Sequence, residues 1–164
     1  MTTSITTTSA CSNEALKSSV LAAFLRLPRT LSQCIAAEGH LRAADASAFD
    51  SAQRACEAAD EALSSELRKI LALPEACPSD RSMRRLAFLL RSVLSIENNG
   101  DRRYFAASLL HDAQLFETWD AQPTDPMMPR IERHCLGQIA RLVELRAAGT
   151  AGHVPEASSP GLAA

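Results

Sequence analysis

Phe49, Cys56, Leu63 and Ile70 follow one another at intervals of seven residues, with Ala52, Ala59 and Leu73 beside them. On a helix this spacing returns to nearly the same direction every two turns, so one narrow apolar seam runs for about seven turns from Ser47 to Leu73. No strand accommodates such a pattern, because strand faces alternate at every second residue. Small alanines at 52, 55, 58, 59 and 62 leave room for a neighbouring helix to approach closely.

Composition extends that conclusion to the whole chain. There are 29 Ala and 21 Leu against 4 Val and 6 Ile, and five of the 9 Thr lie in the first eight positions, so strand-favouring residues are scarce wherever a core can form. A length of 164 residues with 46 % hydrophobic residues suits one domain with a real core and excludes a chain disordered over most of its length. Residues 1–12 hold eight Ser or Thr and no charge, and Gly149, Gly152, Pro155, Pro160 and Gly161 interrupt the other end. Disordered tails are therefore expected at 1–11 and 149–164, around a folded domain at 12–148.

Punctuation by proline, glycine and asparagine divides that domain into six helical segments. The first covers about 13–27, with Leu16, Val20, Phe24 and Leu27 on one face. Pro28 separates it from a second helix beginning at Leu31, where Thr30 and Gln33 have the spacing of a capping box. After the long third helix, a fourth is expected over about 81–98 behind Ser79 or Asp80 as cap, with Met83, Leu86, Leu90, Val93 and Leu94 inward. A fifth runs from Asp101 to Trp119 along Phe105, Leu109, Ala113 and Phe116; a sixth runs from about Pro129 to just before Gly149 along Ile131, Cys135, Ile139, Leu142 and Val143. The expected fold is all-α, an antiparallel bundle of five to six helices with short links.

Charge and cysteine usage restrict the function classes. Net charge is about -2, which argues against a dedicated nucleic-acid binder, yet residues 81–103 carry six basic and two acidic groups. Five widely spaced cysteines without a C-x-x-C pair indicate neither a disulfide framework nor a zinc site. With no apolar run long enough to span a bilayer and no signal-peptide pattern at the start, a cytoplasmic protein with no membrane partner is expected. The uncharged Ser/Thr-rich start also resembles the leaders of bacterial type III secretion substrates, which would imply a non-classical secretion route; a plain frayed terminus is the other reading.

Chemistry-bearing constellations are few. Leu109-Leu110-His111-Asp112 resembles the His-Asp dipeptide of metal-dependent HD phosphohydrolases, and that resemblance would enlist His40 and Asp120 or Asp125 as further ligands. His40 lies 71 residues before the pair, and Ala113 stands where that family usually has glycine. Glu132 and His134 point about 200° apart on a helix and cannot share an ion, while Cys34, Cys56 and Cys135 fall at apolar positions. No catalytic residue, metal or cofactor is assigned. A non-enzymatic protein is expected, with the phosphohydrolase as the alternative.

The arginines are the most informative set. Arg81, Arg84, Arg85 and Arg91 can share the flank opposite Met83, Leu86, Leu90 and Val93, and Arg102 and Arg103 open the next helix. Six guanidinium groups within 23 residues can grip an acidic protein partner or, as a second alternative, nucleic acid. Because the chain uses 15 Arg and only 2 Lys, a solvated face paired with Glu57, Asp60, Glu61 and Glu66 is the plain alternative. Phe116, Trp119, Met127 and Met128 surround a proline-rich link; they make either an adaptable contact surface, with Trp119 as its anchor, or the closure of the bundle end. A homo-oligomer is compatible with all of these readings.

Overall fold

A computed structural model describes residues 18–111 and 127–150. All regular structure among them is helical, comprising five helices of 13 residues or more and one six-residue helix that leads into them. In chain order these are α1 (Ser19–Phe24), α2 (Leu27–Ala43), α3 (Phe49–Ala72), α4 (Pro78–Ser95), α5 (Asn99–His111) and α6 (Met127–Thr150). None is long and apolar enough to cross a membrane. The expected tail at 1–11, the residues of the second tail beyond Thr150 and the segment holding Phe116 and Trp119 lie outside the described residues.

Most of the expected stripes converge on one core. Val20 and Phe24 of α1, Leu27, Leu31 and Cys34 of α2, Leu63, Leu67 and Ile70 of α3, Met83, Leu90 and Val93 of α4, and Cys135, Ile139 and Leu142 of α6 are all buried in it. Leu109 of α5 joins them. The largest helix contacts are α2 against α3 and against α6, and α5 against α6, while α4 leans on α3. The seven-residue seam is buried from Cys56 onward. Phe49, the first residue of α3, is 49 % exposed.

Several boundaries differ from those read in the sequence. Pro28 does not separate two helices: it sits in the first turn of α2, where its missing N–H is no loss, and the break falls at Leu25–Arg26. Thr30 is consequently inside the helix, its hydroxyl donating to the Arg26 carbonyl at 3.2 Å in place of capping. Helix α4 starts three residues early, with Cys77 as N-cap, and stops at Ser95. Gly149 does not end α6, which continues to Thr150.

A single carboxylate explains the early start of α4. Asp80, fully buried, accepts the backbone N–H groups of Ala76 (2.8 Å) and Cys77 (3.2 Å) through Oδ2. Its Oδ1 accepts the Ser18 hydroxyl at 2.5 Å, and that same hydroxyl oxygen caps α1 by accepting from Val20 and Leu21. One buried carboxylate thus holds both the Ser18 cap of α1 and the backbone that leads into α4. Burial alone would raise the Asp80 carboxyl, but the Ser18 hydroxyl, the Ala76 N–H and Cys77 hold it below its ordinary value.

Candidate functional site

At 100° per residue, Arg81, Arg84, Arg85, Arg91, Ser92 and Ser95 all project within about 60° of the direction of Phe88. Met83, Leu86, Leu90 and Val93 project roughly oppositely and are buried. The outward face of α4 is therefore an arginine-rich strip with an aromatic ring at its middle, and Phe88 is 60 % exposed. No acidic residue occurs between Arg81 and Ile96.

The guanidinium groups on this face are in different states. Arg81 Nε donates to Glu75 Oε2 at 3.4 Å, and Arg84 Nη1 donates to Glu75 Oε1 at 3.1 Å. Arg84 is held further by Nη2, which donates to the Leu71 carbonyl in the last turn of α3 at 2.9 Å, while its Nε is buried without an acceptor. Arg85 is half-buried and engaged. Arg91 is exposed, and its guanidinium makes no hydrogen bond or ion pair among the described residues.

Arg102 and Arg103 are occupied differently. Arg102 donates to the Ile96 carbonyl through Nε (2.7 Å) and Nη2 and to Asn99 Oδ1 at 3.2 Å, closing the C-terminal end of α4. Arg103 forms a two-pronged pair with Glu144 of α6, both contacts at 2.9 Å. Of the acids that the sequence offered as partners, Glu57 accepts from Gln53, Asp60 from Arg146, Glu61 from Arg68, and Glu66 from Arg26 and Lys69. Glu75, on the link between α3 and α4, serves Arg81 and Arg84 instead.

A second polar cluster lies where α2, α3 and α6 meet. Arg146 of α6, with 19 % of its side chain exposed, donates through Nε to Glu38 of α2 at 2.6 Å and through Nη2 to Asp60 of α3. Beside it, Cys34 Sγ donates to the Ala59 carbonyl at 3.3 Å. Burial first and the Asp60 carboxylate second push the Cys34 thiol up to about 12; burial and Glu38 push Cys56 up to about 11. Burial likewise takes Cys135 to about 12. Burial and neighbouring carboxylates thus favour the protonated thiol, and thiol nucleophilicity requires the thiolate.

His40 and His111 are both exposed, on α2 and at the end of α5, and among the described residues no three His, Cys, Asp or Glu side chains gather into a group able to hold a metal. Asp112, Asp120, Asp125 and Trp119 lie outside the described residues.

Sequence reasoning missed three features of these sites. Phe88 carried a usable signal, since it falls opposite Leu86 and Leu90 on the helical wheel. Glu75 also did, because it and Asp80 are the only acids from 67 to 96. Arg146 had none: its partner Glu38 is 108 residues away. No protein family, curated protein or solved structure matches the chain.

Proposed function

We propose that the chain is a non-enzymatic helical interaction module, an adaptor, regulator or secretion-associated component, that docks an acidic protein partner on the outward face of α4. In this reading the helices form an antiparallel bundle that presents the face in the cytoplasm, where the buried thiols of Cys34, Cys56 and Cys135 stay reduced. The observation that carries the proposal is Phe88, 60 % exposed among arginines on a helix that contributes no acid of its own between Arg81 and Ile96. An exposed aromatic supplies apolar area at small entropic cost, and guanidinium forks at its rim select carboxylates and speed encounter. Arg81, Arg84, Arg85 and Arg91 line the face itself; Arg102 and Arg103 support it by closing α4 and tying α5 to α6.

An acidic protein fits better than nucleic acid. The chain as a whole is acidic, and the face offers one aromatic ring where single-strand binders stack successive bases. The test is quantitative affinity capture with the wild type and with Phe88→Ala/Arg91→Glu, followed by association kinetics over a salt series. The expected result is an acidic protein retained by the wild type and lost from the double variant. Equal retention by both, or retained material that proves to be nucleic acid with affinity falling steeply in salt, overturns the proposal.

A further inference from the structure

The α4 face already holds one carboxylate, contributed by the chain itself. Glu75 places its two oxygens against two different guanidinium groups, Oε2 on Arg81 Nε at 3.4 Å and Oε1 on Arg84 Nη1 at 3.1 Å. Resting on the reading of this face as a docking site for an acidic partner, we propose that the Arg81–Arg84 pair is a carboxylate-binding site. Glu75 occupies it in the free protein, and a carboxylate of the partner displaces Glu75 on docking.

Three observations support the exchange. Arg84 is held independently of Glu75, because Nη2 donates to the Leu71 carbonyl, so one arm of the grip stays in place when the carboxylate changes. Arg81 is the more loosely held counterpart: its side chain is 66 % exposed, its only contact with an acid among the described residues is Glu75, and that contact is long. Glu75 itself is exposed on the short link between α3 and α4, and exposed pairs contribute little, so its side chain can swing away at small cost. The backbone on either side is tied down separately, Leu73 N–H to the Lys69 carbonyl and the Ala76 and Cys77 N–H groups to Asp80. Releasing the Glu75 side chain therefore leaves the link folded.

The geometry also describes the partner segment. From Arg81 to Arg91 the helix rises about 15 Å, a span that an extended peptide covers in about five residues. A carboxylate near one end would take the Arg81–Arg84 site, an apolar side chain would rest on Phe88, and a second carboxylate would meet Arg91. The class of ligand is a short acidic segment with an apolar residue between its acids.

The probe is a fluorescein-labelled peptide of about this length with glutamates flanking a central leucine, titrated by fluorescence polarisation, with a single-stranded oligonucleotide as comparison. Removing the internal competitor with Glu75→Gln is expected to tighten peptide binding about twofold to fivefold, the range that loss of an exposed pair allows. Arg81→Gln is expected to weaken binding and to reduce the gain in the Arg81→Gln/Glu75→Gln double variant, where only Arg84 is left to be freed. If Glu75→Gln leaves affinity unchanged or lowers it while Arg91→Glu still weakens binding, the displacement proposal fails and the docking face stands. If neither the wild type nor Glu75→Gln binds the peptide, or both prefer the oligonucleotide, the docking face itself is refuted, and the displacement proposal with it.

Discussion

Arg146 and Arg91 carry the same side chain in opposite circumstances. Arg146 sits where three helices meet, mostly buried, between two carboxylates drawn from different helices. Arg91 stands on the outside of α4 with no acid near it in the sequence and no bond among the described residues. Burial decides what each can do. A guanidinium withdrawn from water must be paired to persist, so Arg146 belongs to the architecture, whereas a hydrated one can wait for a partner. The junction of α2, α3 and α6 is thus where charge is built into the packing, and Arg91 of α4 is where charge stays at the surface.

The sharpest way to break this contrast is Arg146→Met. The Glu38 side chain is only 11 % exposed, and without its partner it becomes an uncompensated charge. The expected cost is about 3 kcal/mol, the lower end for breaking a buried pair because Asp60 is 42 % exposed and can rehydrate. Thermal or denaturant unfolding measures it. Adding Glu38→Leu should recover much of the loss, since an apolar replacement of the whole pair removes the stranded charge. A single variant as stable as the wild type would mean that the junction is wet and that the contrast with α4 is one of degree.

Asp80→Asn comes next, at about 2 kcal/mol, because the amide carries only one acceptor oxygen where the carboxylate serves Ser18, Ala76 and Cys77. The sign of its pH dependence follows from the depressed carboxyl. The unfolded chain takes up the proton first as pH falls, so this contribution is present above the unfolded-state value and is lost as pH drops through the folded one. The acid limb of the stability curve should therefore flatten in Asp80→Asn.

These two sites also mark how far the sequence could be read. Helical class, the core stripes and the buried cysteines were legible because they depend on periodicity within one helix: Cys56, Leu63 and Ile70 recur on one side of α3, and Met83, Leu86, Leu90 and Val93 on one side of α4. The position of Arg81, Arg84, Arg85 and Arg91 on the opposite side followed from the same arithmetic. What stayed hidden depends on contacts between helices. Glu38, Asp60 and Arg146 meet only after α2, α3 and α6 pack, and nothing local distinguishes Arg146 from a surface arginine. Helix starts were misread for a related reason: Ser79 and Asp80 have good capping chemistry, yet Asp80 acts from inside the first turn and reaches back to Cys77.

The thiols of the junction give a smaller, alkaline signature. Cys34 and Cys56 are held at about 12 and about 11 against an ordinary value of 9.0, so in the unfolded chain they ionise first. Their contribution to stability is fully present below pH 9 and is lost as pH rises from there through the folded values. Melts taken across that alkaline window should show a falling stability that becomes shallower in Cys34→Ala/Cys56→Ala; an unchanged slope would mean that the junction admits hydroxide and water freely.

The smallest effect on folding is expected at Arg91, and there the comparison is most exposed to refutation. Arg91→Glu removes no bond among the described residues and places a carboxylate on a strip of arginines, so the melting temperature should stay within the equivalent of about 0.5 kcal/mol of the wild type. No charged residue lies three or four positions from Arg91 on α4, so the reversal neither breaks nor makes a helical ion pair. Binding should respond in the other direction: association with an acidic partner slows and loses part of its salt dependence, because a charge at the rim acts mainly on encounter. If Arg91→Glu instead unfolds the protein, Arg91 is structural after all, and charge on α4 serves the same purpose as charge at the buried junction.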